Sequence, residues 1–157
     1  MQVWRLCKQK YASTAFDGEG ALRAGGRWNS RGKAVAYTSE SLALASLELL
    51  VHIISAELWP TNLVAISAQI PDDLVATSIE IEDMPKKWRS TSGHPALKSR
   101  GNKWIDGRET CAMAVPSVIV PEERNILLNP AHPAFKEISI GEPRPFTLDS
   151  RFSPDYS

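Results

Sequence analysis

The stretch LVAISAQIPDDLVATSIEIE, Leu63 to Glu82, decides the fold class. From Leu63 to Ile70, and again from Val75 to Glu82, apolar and polar residues alternate with a period of two, the repeat of a strand with one face in a core. Between them stands Pro71-Asp72-Asp73, a turn signal, since proline presets φ and aspartate side chains bond their own backbone. Two strands meeting at such a turn predict a sheet rather than a helical bundle.

Upstream of this stretch, Val3 to Cys7 reads as a first strand and Ser13 to Gly26 as a loop of small and turn residues that ends in Gly25-Gly26. Lys33 to Thr38 reads as a short strand, with Ala34, Ala36 and Thr38 on one side and Val35 and Tyr37 on the other. Ser39 is the expected N-cap of a helix from Glu40 to about Leu58, with Glu40 suited to the positive end of the dipole and Trp59-Pro60 as the stop. Downstream, Met84 to Arg108 is irregular apart from a short helix over Ala96 to Ile105, weakened by Gly101. Cys111 to Val115 and Ser117 to Val120 read as one buried strand bent at Pro116. Arg124 to Leu128, Phe135 to Ile140 and Arg144 to Leu148 are further strand candidates. The expected architecture is α+β: a single domain over residues 1–157, with mixed, mostly antiparallel sheets and a few helices, and no alternating βα units.

The chain has 157 residues, 43% of them hydrophobic, which suits one domain with a core of its own. Lysine plus arginine number 18 and aspartate plus glutamate 18, so no excess positive charge favours a phosphate backbone, and direct nucleic-acid binding is not expected. Lys98, Arg100, Lys103 and Arg108 form a local basic group, but Asp106 and Glu109 are interspersed, as on a solvated surface. The two cysteines, Cys7 and Cys111, have neither metal nor redox spacing and read as small apolar residues, a disulfide staying open. The N-terminus lacks the apolar centre of a signal peptide, and the most apolar run, Leu42 to Leu58, is too short for a span and contains Glu48 and His52. A cytoplasmic protein with no membrane association is expected.

The long helix carries the sharpest chemical signal. Ser41, Glu48, His52 and Ser55 follow one another at spacings of seven, four and three, along one stripe of an otherwise apolar helix. Periodicity alone reads that stripe as the solvent face of an amphipathic helix. The alternative is a stripe facing a cleft, where the Glu48 carboxylate needs a cation or donors, because a buried unpaired charge costs several kcal/mol. Arg27, following two glycines that let a ligand approach the backbone, is a natural counter-group. Tyr37 lies at a strand end leading into a helix, and Ser117 follows Pro116 between two apolar runs. Each of these three also suits a structural role. No Gly-x-Ser-x-Gly elbow surrounds Ser117, no phosphate loop or dinucleotide glycine fingerprint is present, and His52, His94 and His132 have no metal-site spacing, so no metal is expected.

Taken together, Trp4-Arg5-Leu6, Phe16-x-Gly18-x-Gly20-Ala21, Gly25-Gly26-Arg27-Trp28-Asn29, Tyr37-Thr38-Ser39, Ala45-x-x-Glu48-x-x-x-His52, Val115-Pro116-Ser117 and Asn125-x-Leu127-x-Asn129-Pro130 resemble the RES domain. That family is named for its arginine, glutamate and serine. The resemblance runs from about Trp4 to Phe152 and is thinnest over Met84 to Gly107, where Trp104 is the main match. It implies a fold similar to ADP-ribosyltransferases, with NAD as substrate in a cleft between sheets. It further implies Glu48, Arg27, Tyr37 and Ser117 as catalytic residues, with Arg27, Tyr37, Trp28, Asn29 and His52 against NAD. The implied biology is a toxin of a toxin-antitoxin pair, blocked at its active site by an Xre-like helix-turn-helix antitoxin. The implied reaction is NAD cleavage by hydrolysis or by phosphorolysis with inorganic phosphate, the alternatives being ADP-ribosyl transfer to a protein or NAD binding without catalysis.

Overall fold

The computed structural model describes residues 1–53, 59–76 and 78–153. Among the described residues eight strands form one sheet: β1 (Gln2–Lys8), β2 (Ala36–Ser39), β3 (Leu63–Gln69), β4 (Val75–Ala76), β5 (Ala112–Pro116), β6 (Arg124–Leu128), β7 (Ser139–Ile140) and β8 (Arg144–Phe146). Their order is β4-β5-β6-β2-β1-β3-β7, with β8 also paired to β3. Each of these pairings is antiparallel except that of β4 with β5. Among the same residues three α-helices accompany the sheet: α1 (Glu19–Ala24), α2 (Leu42–Leu50) and α3 (Pro95–Gly107). The α+β class and its mostly antiparallel sheet are those expected.

Period two explains both faces of the sheet. On β6, Ile126 and Leu128 enter one apolar cluster and Leu127 the other; on β5, Ala112 and Ala114 separate in the same way from Met113 and Val115. The first cluster also takes Val3 from β1 and Val64 and Ile66 from β3, so the two halves of the sheet curl over a shared core. The second cluster is closed by α3 through Leu97 and Ile105, and by Trp28 and Trp88. Ile126, Leu127 and Leu128 are fully buried, each burial stabilising by about 1.5–3 kcal/mol.

The halves meet between β1 and β2 through one registered pair, Trp4 with Ser39. Where the strands part, the Arg5 guanidinium crosses the gap and donates from Nη1 to the Tyr37 carbonyl at 2.6 Å. Its Nε has no partner among the described residues. Burial lowers the Arg5 pKa, with the nearby Cys7 and Asp17 acting against that shift. Helix α2 packs across β1 and β2 over this junction.

Several elements differ from the sequence expectation, each for a local reason. Ser39 is not an N-cap: it ends β2, opposite Asn125, and its hydroxyl bonds Asn125. Ser41 caps α2 instead, accepting from the Leu44 amide at 3.0 Å. The helix ends at Leu50 rather than near Leu58, and the part of that expectation over residues 54–58, with Ser55, lies outside the described residues. The expected strand over Val75 to Glu82 shrinks to β4, because the short 3-10 helix Asp72–Leu74 carries the chain across to β5 instead of folding it back on β3. Ile79 still donates its amide to Ala114, after which Ile81–Asp83 turn as 3-10 helix. The loop Ser13 to Gly26 contains α1. Past Pro116 the chain turns rather than continuing as strand, and Phe135 lies in the 3-10 helix Pro133–Glu137 ahead of β7. Both cysteines are free, Cys111 fully buried and Cys7 partly so.

Candidate active site

Alternation along three neighbouring strands assembles the site. Tyr37 and Ser39 on β2, Leu127 and Asn125 on β6, and Met113 and Val115 on β5 occupy matched positions, Tyr37 opposite Leu127 opposite Met113, and Ser39 opposite Asn125 opposite Val115. Two residues past Val115 the same side carries Ser117. The first row belongs to the apolar cluster beneath α3, whereas Ser39, Asn125 and Ser117 stand at the polar end of that face. Glu48 descends onto this end from α2 and bonds Ser117 and Asn125.

The N-terminal part of the helix stripe therefore faces inward. Leu44 and Ala45, four and three residues before Glu48, are the buried positions of α2, and Glu48 continues their side of the helix. Glu48 Oε1 accepts the Ser117 hydroxyl at 2.9 Å and the Asn125 amide Nδ2 at 2.5 Å. Among the described residues, nothing donates to Oε2. Ser117, 0% exposed, is itself fixed: its Oγ accepts from the Ile119 and Val120 amides at 3.0 and 3.2 Å, which leaves its single proton for Glu48. Asn125 is fixed likewise, because its Oδ1 accepts the Ser39 hydroxyl at 2.8 Å.

Arg27 approaches from the glycine loop. Gly25 has φ +73, and a Cβ on Gly26 would stand 2.6 Å from the Tyr37 hydroxyl and 2.7 Å from Asn29 Oδ1, so neither position accepts a side chain without strain or displacement. The Tyr37 hydroxyl donates to Asn29 Oδ1 at 2.9 Å and accepts from the Trp28 amide at 3.0 Å, tying the loop to β2. Arg27 Nη1 donates to the carbonyls of Trp88 and Ser90 at 2.9 and 3.0 Å, and Arg89 Nε donates to the Val118 carbonyl at 2.9 Å. The segment around Trp88 is thus strapped between Arg27 and the turn after Ser117. Partial desolvation lowers the Arg27 pKa, and the charge of Glu48, then Tyr37, opposes the shift. Burial pushes the Tyr37 phenol up to about 12, against the Trp28 hydrogen bond and the Arg27 charge.

Not every expected ligand-binding residue faces open space. Asn29 is 0% exposed and bonds the carbonyls of Ala21, Ser30 and Lys33 from Nδ2, so its side chain shapes the loop instead of meeting NAD. Trp28 is equally enclosed, in the cluster with Trp88 and Leu97. His52 stands exposed on the turn after α2, and no hydrogen bond of its side chain joins it to the Glu48 group among the described residues. Asn125 and Ser39 were not singled out from the sequence as site residues. An asparagine facing inward on an apolar strand, against β propensity, was the signal available.

An open groove of about 870 Å³ lies elsewhere, along β3 and the turn from β7 to β8. Glu142 is the only ionisable residue in its lining, whereas the Glu48 cluster sets a carboxylate among side-chain donors with the charge of Arg27 near it. Among the described residues no group of three His, Cys, Asp or Glu side chains converges as a metal site, and no helix is long and apolar enough to cross a membrane.

Comparison with known proteins places this geometry in a family. The RES domain model matches residues 2–149. The chain is 38% identical over 153 residues to the Prs ADP-ribosylating toxin of Sphingobium sp. (strain YBL2), covering 94% of each protein. It is 35% identical over 153 residues to the Toxin Res of Yersinia enterocolitica, covering 96% of this chain and 99% of that one. Its fold matches a chain in the crystal structure of the M. tuberculosis MbcT-MbcA toxin-antitoxin complex with a TM-score of 0.74 at 14% identity, over 93% of this chain and 84% of that chain. A family model spanning nearly the whole sequence, with relatives of matching length that are toxins, means that the chain belongs to the RES-domain family.

Proposed function

We propose that this chain is a cytoplasmic toxin that breaks the bond between nicotinamide and ribose in NAD, with Glu48 as the carboxylate that acts on the sugar. One observation carries the reading: Glu48 is held by two neutral donors on one oxygen, its other oxygen has no donor among the described residues, and the positive charge of Arg27 acts on it. Nicotinamide in NAD is a pyridinium. When the C1′–N bond breaks, its electron pair neutralises the ring, so the leaving group needs no general acid, unlike the oxygen leaving groups of two-carboxylate glycosidases. A single carboxylate suffices. It stabilises the positive charge developing on the ribose and positions the nucleophile that attacks C1′. Water as nucleophile yields ADP-ribose; inorganic phosphate yields the phosphorylated sugar; in either case the nucleophile's proton passes to solvent.

Arg27 suits the pyrophosphate of NAD or an attacking phosphate. Its Nη1 is anchored to two carbonyls, which orients the rest of its fork at no further entropic cost on binding. Tyr37 offers its ring to the nicotinamide ribose end, its hydroxyl being committed to the loop. Ser117 orients Glu48. A second reading, transfer of ADP-ribose to a protein, draws on the 38% identical relative that bears the name of an ADP-ribosylating toxin. Both readings share the bond broken and differ in the acceptor.

The test is nicotinamide release from NAD by the purified chain, with and without phosphate. Glu48→Gln is expected to lower kcat by about 10²–10³-fold, the scale for losing a preorganised electrostatic contact. Arg27→Ala is expected to raise KM for NAD. Undiminished release by both variants removes this site from the chemistry. Nicotinamide leaves in either reading, so transfer of label from the ADP-ribose part of NAD to a cell protein, with no free ADP-ribose formed, selects the transferase.

A further inference from the structure

The shortest hydrogen bond to Glu48 comes from Asn125 on β6. We propose that Asn125 is a positioning residue for the reaction: with Ser39 behind it, it fixes which oxygen of Glu48 meets the substrate. The inference rests on the reading of Glu48 as the acting carboxylate and extends it to a residue that touches Glu48 rather than the substrate.

An asparagine amide can turn about its last bond and offer either oxygen or nitrogen. Here it has one productive orientation. The Ser39 hydroxyl donates to Oδ1 at 2.8 Å, so Nδ2 is the atom turned to Glu48 Oε1, at 2.5 Å. The opposite orientation would set Oδ1 against the carboxylate oxygen, with no proton between them. Register makes this arrangement a property of the sheet: Ser39 and Asn125 are direct partners across β2 and β6, and Asn125 faces Val115 across β5.

Ser117 delivers the second donor to the same oxygen. Its proton is committed by the two backbone amides its Oγ accepts. Two donors of set polarity on Oε1 define the carboxylate plane, whereas one would leave the group free to swing about a single contact. Oε2 is thereby left outside this network as the oxygen for the sugar. Preorganisation of this kind acts on the transition state: a reacting group displaced by about 1 Å loses on the order of 10²-fold in rate, while affinity set by the phosphate contacts of Arg27 is little changed.

Asn125→Asp keeps the shape and removes the donor, and Ser39→Ala keeps Asn125 but unlocks its amide. Asn125→Asp is expected to lower kcat for nicotinamide release by about 10²-fold with KM for NAD within a few-fold of wild type. Ser39→Ala should show a smaller loss of the same kind. A readout independent of activity comes from NMR of the full chain. The Asn125 side-chain amide, held at 2.5 Å from a carboxylate oxygen, should resonate downfield and exchange slowly, and Glu48→Ala should abolish both properties. Wild-type kcat in folded Asn125→Asp overturns the proposal, and so does an ordinary Asn125 amide signal indifferent to Glu48→Ala. A wild-type protein that releases no nicotinamide, either alone or with cell protein as acceptor, overturns the NAD reading instead, and the amide signal then decides the positioning role by itself.

Discussion

Tyr37 shows how one residue serves the candidate site without a hydrogen bond to Glu48. Its hydroxyl satisfies a buried asparagine and a backbone amide of the arginine loop at once, so Tyr37→Phe leaves two polar groups unmet. At neutral pH that variant is expected to lose about 1–3 kcal/mol of stability in denaturant unfolding. The pH dependence has a definite sign. An unfolded tyrosine ionises near about 10, whereas burial pushes Tyr37 up to about 12 in the folded chain. Raising the pH therefore removes the proton from the unfolded state first. The stability contributed by Tyr37 is fully present below about pH 10 and is lost as the pH rises through the folded value of about 12. The stability gap between wild type and Tyr37→Phe should narrow over that range. A gap that stays constant would mean that the phenol is not held protonated by burial.

At the scale of elements, α3 explains why the arginine loop stays in place. His94 accepts the Ala96 amide from its ring, and Pro95 opens the helix where its missing N–H costs nothing. Asn102 then holds Ser30 by both its backbone amide and its hydroxyl. Gly101, which weakens this helix by propensity, is where α3 lies close against the backbone of Trp28. A Cβ there would lie 1.8 Å from the Trp28 carbonyl oxygen. Gly101→Ala raises helix propensity by up to about 1 kcal/mol on an open helix, but here the backbone of Trp28 cannot give way without moving Arg27. The expected outcome is a net loss of about 1–3 kcal/mol in thermal or denaturant unfolding, together with a raised KM for NAD. A stabilised variant with unchanged KM would show that α3 does not position the loop.

For the whole molecule, the consequence of the fold is one polar end on a curled sheet, built from two half-sheets joined by a single registered pair and spanned by α2. Glu48 arrives from the helix and its holders from β2, β6 and the turn after β5, so the site exists only when the halves and the helix are assembled. Equal numbers of cationic and anionic side chains, 18 of each, leave the chain without the basic field that retains a protein on DNA. Induced expression is expected to arrest bacterial growth, Glu48→Gln to relieve the arrest, and co-expression of the cognate antitoxin to restore growth to the wild-type chain. Arrest undiminished by Glu48→Gln would separate toxicity from the carboxylate.

Local chemistry determined much of this from the sequence alone. Alternation marked β2 and β3 as strands, since period two with one buried face is a property of consecutive residues, and an apolar run ahead of Pro116 marked β5. The fold class was legible from such patterns, while the motif order around Arg27, Tyr37, Glu48 and Ser117 was legible as a family resemblance. Other features had no local signal. The stripe on α2 reads as a solvent face by periodicity, and only the packing of Leu44 and Ala45 against the sheet turns Glu48 inward. The turn at Pro71 was plain, but not that the chain crosses to β5, because register and partner choice are settled by distant strands competing for the same edges. Asn29 and Asn125 are the same residue type within similar motifs, yet one is spent on loop carbonyls and the other faces Glu48. A side chain's hydrogen-bonding groups are allotted by whatever the tertiary structure brings within reach, and that allotment joined Ser117 to Glu48 and Tyr37 to the loop that carries Arg27.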